Sequence, residues 1–255
     1  MTGVMRIPLD LTNPGQFFAC CGLLELASRK WSGATGRFDN CACFIECVGS
    51  FSDLLADIQA DTPDVLDPAN PMTSPLWLTK FGIRLDWWQD EFGGGDSFKT
   101  WAGNEKIVTK ALAMHAKFIP GSFTELNLLT ASSVLHERSS ATATVAPLYF
   151  DACRATQAKS IDIGFSTDAH KMVAPVCVGL EYLCLIGLQR FRPARYEGKR
   201  FRYSVWPCPL PPMLAAVAVS GMLPETHGST YEFQLLYRTK YLKGFMPATK
   251  IGEQT

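Results

Sequence analysis

Between Gln16 and Lys30 the apolar residues Phe17, Phe18, Cys20, Cys21, Leu23, Leu24, Leu26 and Ala27 leave almost no polar face at helical spacing. A helix that is apolar all round is buried all round. Asn13 stands where an N-cap belongs and Pro14 at the first helical position, so the turn Thr12-Asn13-Pro14-Gly15 is predicted to open this helix. Gly22 lies in its middle at a cost of about 1 kcal/mol relative to Ala, which predicts that another backbone approaches closely there. A second wholly apolar helix is predicted from Pro175 to Gln189, and it contains Gly179 and Gly187.

The remaining pattern is less regular. Arg6 to Leu11 reads as a short strand, and Arg37 to Cys47 alternates so that Cys41, Cys43, Ile45 and Cys47 share one face. Ser50 to Gln59 predicts a short helix with Ser52 as its cap. Pro63, Pro68, Pro71 and Pro75 then break the chain, making 61–75 a proline-rich acidic loop. Leu76 to Trp88 carries two strand-like runs around Phe81-Gly82, and helices are predicted over about Asn104 to Phe118 and over 121–140. Strand character returns at 142–151, 161–165, 203–206 and 231–236, while Met213 to Gly221 fits either a helix or a strand. There is no repeat, and helices and strands alternate irregularly, so the fold class expected is α+β, mixed strands and helices with two buried apolar helices. Residues 1–255 read as a single α+β domain, with two lobes, 1–120 and 121–255, as the alternative division.

With 47% apolar and 19% charged residues among 255, the chain lies far from the composition of disordered proteins. It has no apolar run approaching the roughly eighteen residues of a membrane-spanning helix. Met1 to Pro8 lacks a basic flank followed by an apolar segment, so an unprocessed cytoplasmic protein is expected. The nine cysteines are odd in number and come without a secretion signal, which fits a reducing compartment. Cys41, Cys43 and Cys47 lack both a CxxC pair and a fourth ligand, so they read as an apolar strand face rather than a metal site.

Charge changes the picture more. The chain has 24 basic and 24 acidic side chains, yet up to Phe150 there are 11 basic and 16 acidic residues, and beyond it 13 and 8. Neutrality is therefore a cancellation. Asp53, Asp57, Asp61, Asp64 and Asp67 fall in a window without Lys or Arg, whereas Arg190, Arg192, Arg195, Lys199, Arg200 and Arg202 surround a single acid, Glu197. The basic segment interleaves Phe191, Tyr196, Phe201 and Tyr203, and a smaller group follows with Tyr237, Arg238, Lys240, Tyr241 and Lys243. Arginine forks suit phosphates and rings suit unpaired bases, so one reading is a nucleic-acid interface to which Lys99 and Trp101 also contribute. The other is a solvated turn whose rings face a core.

No catalytic constellation is legible. His115, His136, His170 and His227 form no metal-ligand spacing, Ser166, Asp168 and His170 lack a nucleophile elbow, and Gly93-Gly94-Gly95 lies among acids outside any phosphate-loop pattern. Cys153 beside Arg154 is expected to have a depressed pKa, because a neighbouring cation favours thiolate, but it has no histidine partner in the pattern.

Four ordered motifs carry a resemblance. They are Asn13-Pro14-Gly15-Gln16-Phe17-Phe18-Ala19-Cys20-Cys21-Gly22-Leu23-Leu24-Glu25-Leu26, then Leu85-Asp86-Trp87-Trp88, then Lys99-Thr100-Trp101-Ala102-Gly103, and finally Gly187-Leu188-Gln189-Arg190-Phe191-Arg192-Pro193 with Trp206 and Pro209-Leu210-Pro211. Together they resemble the type I-G (formerly I-U) CRISPR-associated family of large-subunit-like proteins. The resemblance implies a subunit of a crRNA-guided surveillance complex, working beside other CRISPR-associated subunits and a separate helicase-nuclease in antiviral defence, and with no catalytic constellation legible neither catalysis nor a cofactor is expected of it. Its expected contribution is binding of target DNA, either the duplex motif beside the protospacer or the displaced strand. The residues expected to meet phosphate are Arg190, Arg192, Arg195, Lys199, Arg200 and Arg202, with Lys99, Lys240 and Lys243. An adaptor that recruits the helicase-nuclease without touching DNA is the alternative, and a metal-dependent nuclease is a third reading.

Overall fold

A computed structural model describes residues 3–70, 74–86, 106–119, 121–136, 144–155, 175–226, 228–238 and 241–252. Strand β1 (Gly3–Pro8) leads into helix α1 (Pro14–Lys30), which opens as predicted, with the Asn13 side-chain oxygen accepting from the Gly15 N–H. The strand expected over 37–47 is instead a hairpin of β2 (Thr35–Phe38) and β3 (Ala42–Cys47). Asp39 makes the turn: its carboxylate accepts from the N–H groups of Cys41 and Ala42 at 2.8 and 2.6 Å, and these bonds hold its pKa below the usual 3.8. Cys43, Ile45 and Cys47 are buried as the alternation predicts, while Cys41 sits exposed in that turn. β1 lies on the other edge of β3, giving an antiparallel sheet in the order β1-β3-β2.

Helix α2 (Phe51–Ala60) is capped by Ser50 rather than Ser52, in a capping box with Asp53. Beyond it β4 (Asp64–Val65), β5 (Leu76–Leu78) and β6 (Ile83–Leu85) form a small antiparallel sheet that flanks the proline-rich loop. Helix α3 (Ile107–His115) follows. Of the helix expected over 121–140, the described residues 121–136 form turns and the two-residue β7 (Ser132–Ser133) instead. Thr124 opens one helical turn there, its N–H donating to the Asn127 side chain at 2.7 Å and its carbonyl accepting from the Leu128 N–H at 3.0 Å, but Ser132 and Ser133 then leave the helical path to pair with Cys177 and Val176. Of the predicted strand over 142–151, the described residues 144–151 carry one bridge, between Thr144 and His136, and the predicted strand at 161–165 lies outside the described residues.

After α4 (Ala152–Ala155), β8 (Val176–Cys177) pairs with β7 and runs directly into α5 (Val178–Arg190), the second apolar helix. β9 (Ala194–Glu197) and β10 (Arg200–Ser204) form a hairpin, and α6 (Pro212–Val219) settles the segment 213–221 as helix. The chain closes with β11 (Thr230–Arg238), β12 (Tyr241–Phe245) and β13 (Thr249–Lys250). These strands make an antiparallel sheet in the order β12-β11-β10-β9, with β13 also along β11. The fold is α+β, as the irregular alternation predicts.

The two apolar helices cross with their backbones in contact. A Cβ added at Gly22 would stand 2.0 Å from the Leu183 carbonyl oxygen, and one at Gly187 would stand 2.1 Å from that of Phe18 and 2.8 Å from the Gly22 nitrogen. No side chain fits between them. Around this crossing the Phe17 ring stacks on Tyr203 with centroids 4.5 Å apart, and Trp206 meets Phe38 edge-on at 4.7 Å. Trp206 Nε1 donates to the Gly36 carbonyl at 2.6 Å, tying the first sheet to the end of β10. One contiguous set of buried side chains runs from Met5 to Ala248.

The crossing gives a direct prediction. Gly22→Ala or Gly187→Ala must push two backbones apart and is expected to cost at least about 2–3 kcal/mol or to prevent folding. Gly252→Ala, where nothing lies within 4 Å, is the matched neutral control. Urea midpoints compare the three.

Candidate nucleic-acid interface

Alternation along β10 gives the basic segment two faces. Phe201 and Tyr203 point inward, opposite Phe233 and Tyr231 of β11, while Arg200 and Arg202 point outward, opposite Gln234 and Glu232. A bulge between Arg200 and Phe201 and a left-handed Gly198 (φ 56°) shape the hairpin end, where Arg195 and Lys199 are exposed. Arg195 Nε donates to the Gly198 carbonyl at 3.3 Å, so its guanidinium is tethered to the turn.

Glu232 organises the outward face. Arg202 approaches its Oε2 at 2.9 Å, and Arg200 reaches its Oε1 at 3.4 Å and Glu197 at 3.6 Å. The Arg202 guanidinium lies 3.2 Å from the centre of the Tyr196 ring, and Tyr196 is 54% exposed. The result is an exposed ring backed by a fixed cation, in a segment that also exposes Arg192, Arg195, Lys199 and Arg200.

The structure divides the expected interface and, for three of its rings, takes the second reading, a core-facing one. Of the four interleaved rings, Phe191, Phe201 and Tyr203 are core residues, and Tyr196 alone of the four faces outward. Arg190 is not presented on the hairpin. Its Nε and Nη2 fork onto Glu25 at 2.6 and 3.0 Å, and Arg29 Nε reaches the same carboxylate at 2.9 Å. Glu25 is only 3% exposed, so these guanidiniums satisfy a buried charge. Lys99 and Lys240 lie outside the described residues, as do the Lys243 and Tyr237 side chains, Trp101 and the Ser166, Asp168 and His170 group.

The sequence pattern does not single out Glu25, Arg29 or Glu232. Glu25 precedes Arg29 by four positions, a legible helical pair, but its link to Arg190 spans 165 positions and has no local signal.

The acidic window is largely occupied by internal partners. Asp53 belongs to the α2 capping box, Asp57 pairs with Lys30 at 2.6 Å and Lys80 at 2.8 Å, and buried Asp61 accepts from Thr79 and from the Lys80 N–H. Hydrogen bonds from Lys30 and Lys80 hold the Asp57 pKa below 3.8.

Nor does Cys153 have the depressed pKa expected beside Arg154. Partial burial, and then the Asp151 carboxylate, push it up, and these outweigh the nearby guanidinium. Burial likewise raises Cys177 to about 11. Among the described residues no three of His, Cys, Asp and Glu are grouped to hold a metal ion, and no helix is long and apolar enough to cross a membrane.

No protein-family model matches the chain, and neither a curated protein nor a solved structure matches it.

Two outcomes test this electrostatic arrangement. Glu25→Ala leaves Arg190 and Arg29 without their shared anion and is expected to cost about 3 kcal/mol in urea unfolding, at the lower end for buried pairs because the arginines are partly solvated. Because the folded-state pKa of Asp57 is lowered, its contribution is present above its ordinary 3.8 and is lost as pH falls through the folded value. The stability gap between the natural chain and Asp57→Asn is therefore expected at neutral pH and should shrink on acidification.

Proposed function

We propose that this chain is a non-catalytic subunit of a crRNA-guided surveillance complex of the type I-G CRISPR kind, binding target DNA in antiviral defence. The observation that carries the DNA-binding part is the outward face of the β9–β10 hairpin, where the more-than-half-exposed Tyr196 rests on Arg202 among further cations. An exposed ring stacks on an unpaired base whatever its identity, and flanking arginines and lysines follow the phosphates, so a displaced single strand is the preferred ligand. The complex is inferred from the four ordered motifs. Two of them, Asn13 to Leu26 and Gly187 to Pro193, meet at the crossing of α1 and α5. crRNA, target DNA, neighbouring subunits and a helicase-nuclease are the partners this reading implies.

The adaptor alternative rests on separate acidic and basic patches. Asp53, Asp57 and Asp61 are committed to partners within the chain, which favours the DNA reading.

The test uses the assembled complex and single-stranded DNA across a salt series. Arg195→Gln with Lys199→Gln should weaken binding and reduce the steepness of its salt dependence by about 0.7 for each phosphate that is no longer neutralised. Tyr196→Ala should weaken it about five- to a hundredfold, the range for one base–ring stack. Unchanged affinity and slope in an intact complex would reject the reading, and normal DNA affinity with failed helicase-nuclease recruitment would select the adaptor.

A further inference from the structure

Beside the buried end of the Glu25 ion pairs lies an open polar cleft of about 300 Å³, lined by Glu25, Arg29, Arg84, Gln189 and Arg190 around the turn at Gly82. It draws on three elements, α1, β6 and α5, that are remote in sequence. Arg29 directs Nε to Glu25, Arg190 directs Nε and Nη2 there, and Arg84 directs Nε to Asp86 at 2.7 Å. Among the described residues, the two Nη groups of Arg29, the two of Arg84 and Nη1 of Arg190 have no such partner.

The charge balance favours an anion. Arg84 and Asp86 cancel, but the single carboxylate of Glu25 stands between two guanidiniums, so among the described residues lining the cleft the balance is one positive charge. Glu25 also restrains these guanidiniums: a carboxylate 3% exposed, fixed in a helix that is itself buried, removes much of the rotamer freedom that a surface arginine would lose on binding. Gln189 adds a further constraint, its Oε1 accepting from the Asp86 N–H at 3.2 Å and so linking α5 to the end of β6. Guanidinium N–H groups are the donors that fork onto phosphate oxygens. The cleft volume is at the small end for ligand sites, enough for a phosphate and part of the group that carries it.

We infer that this cleft is a phosphate-binding site, built on the buried Glu25 carboxylate and taking a phosphate monoester or diester. It is separate from the outward face of the hairpin and does not rest on the reading of that face.

The experiment titrates the full chain with pyrophosphate by calorimetry at constant ionic strength. Saturable binding is expected, reduced at least about tenfold in Arg29→Gln/Arg84→Gln, with the far-ultraviolet circular dichroism of the unliganded protein unchanged. Should the double variant fail to fold, Arg84→Gln alone, at a half-exposed strand position, keeps the test and should weaken binding severalfold. Competition with 5′-phosphorylated and 5′-hydroxyl single strands separates the sources. Displacement by the phosphorylated strand alone assigns the site to a strand end, equal displacement assigns it to the backbone diester, and displacement by neither assigns it to small phosphate compounds. Binding is expected to survive Arg195→Gln/Lys199→Gln in the hairpin. Absence of saturable binding, binding indifferent to the cleft substitutions, or binding abolished by the hairpin pair would overturn the inference.

Discussion

The backbone contact between α1 and α5 at Gly22 and Gly187 is the constraint from which the rest of the molecule is arranged. At helix separations that leave no room for a Cβ, small sideways shifts are blocked by carbonyl oxygens rather than by adaptable side chains. The crossing therefore fixes α5 in position and rotation. Arg190, on its last turn, is delivered to Glu25 on α1, and the buried Phe191 anchors the chain before it leaves as β9. The cationic hairpin is aimed by a glycine contact three residues before the end of α5.

From that anchor the properties of the surface follow from strand geometry. Period-two alternation divides one basic, aromatic-rich stretch into an inner face that completes the core through Phe201 and Tyr203 and an outer face that carries Arg200 and Arg202. Carboxylates act as holders in both charged regions: Glu232 beneath the hairpin guanidiniums and Glu25 beneath those of the cleft. Each anion is outnumbered by the cations it orients. Hence a chain of zero net charge can still present fixed positive surfaces, while several of its acids serve as caps and internal pairs.

The buried helices, the Asn13 cap, the close approach at Gly22 and the α+β class were legible because each depends on local spacing or on a single residue's conformational property. What the sequence could not supply was partnership across distance. Arg190 looks like its neighbours Arg192 and Arg195 until Glu25, far away in the chain, is found under it. The rings misled for a related reason: alternation within β10 is legible, but which of its two faces is covered depends on β11 and α1. The missing helix over 121–136 shows a third limit: a turn opens at Thr124, but Ser132 and Ser133 are then taken by a strand partner, Val176 and Cys177, far along the chain. Arg29 and Arg84 gave no signal as a pair, because the cleft they line is assembled from separate elements.

The central claim, that the outward face of the β9–β10 hairpin meets unpaired DNA while its inner face stays in the core, is tested most directly by photo-crosslinking. A single-stranded oligonucleotide carrying 4-thiothymidine would be irradiated with the assembled complex and the adducts mapped by mass spectrometry. The account predicts adducts on this chain between Arg192 and Arg202, centred on Tyr196. Adducts confined to other segments of the chain, with the hairpin unmodified, would contradict it.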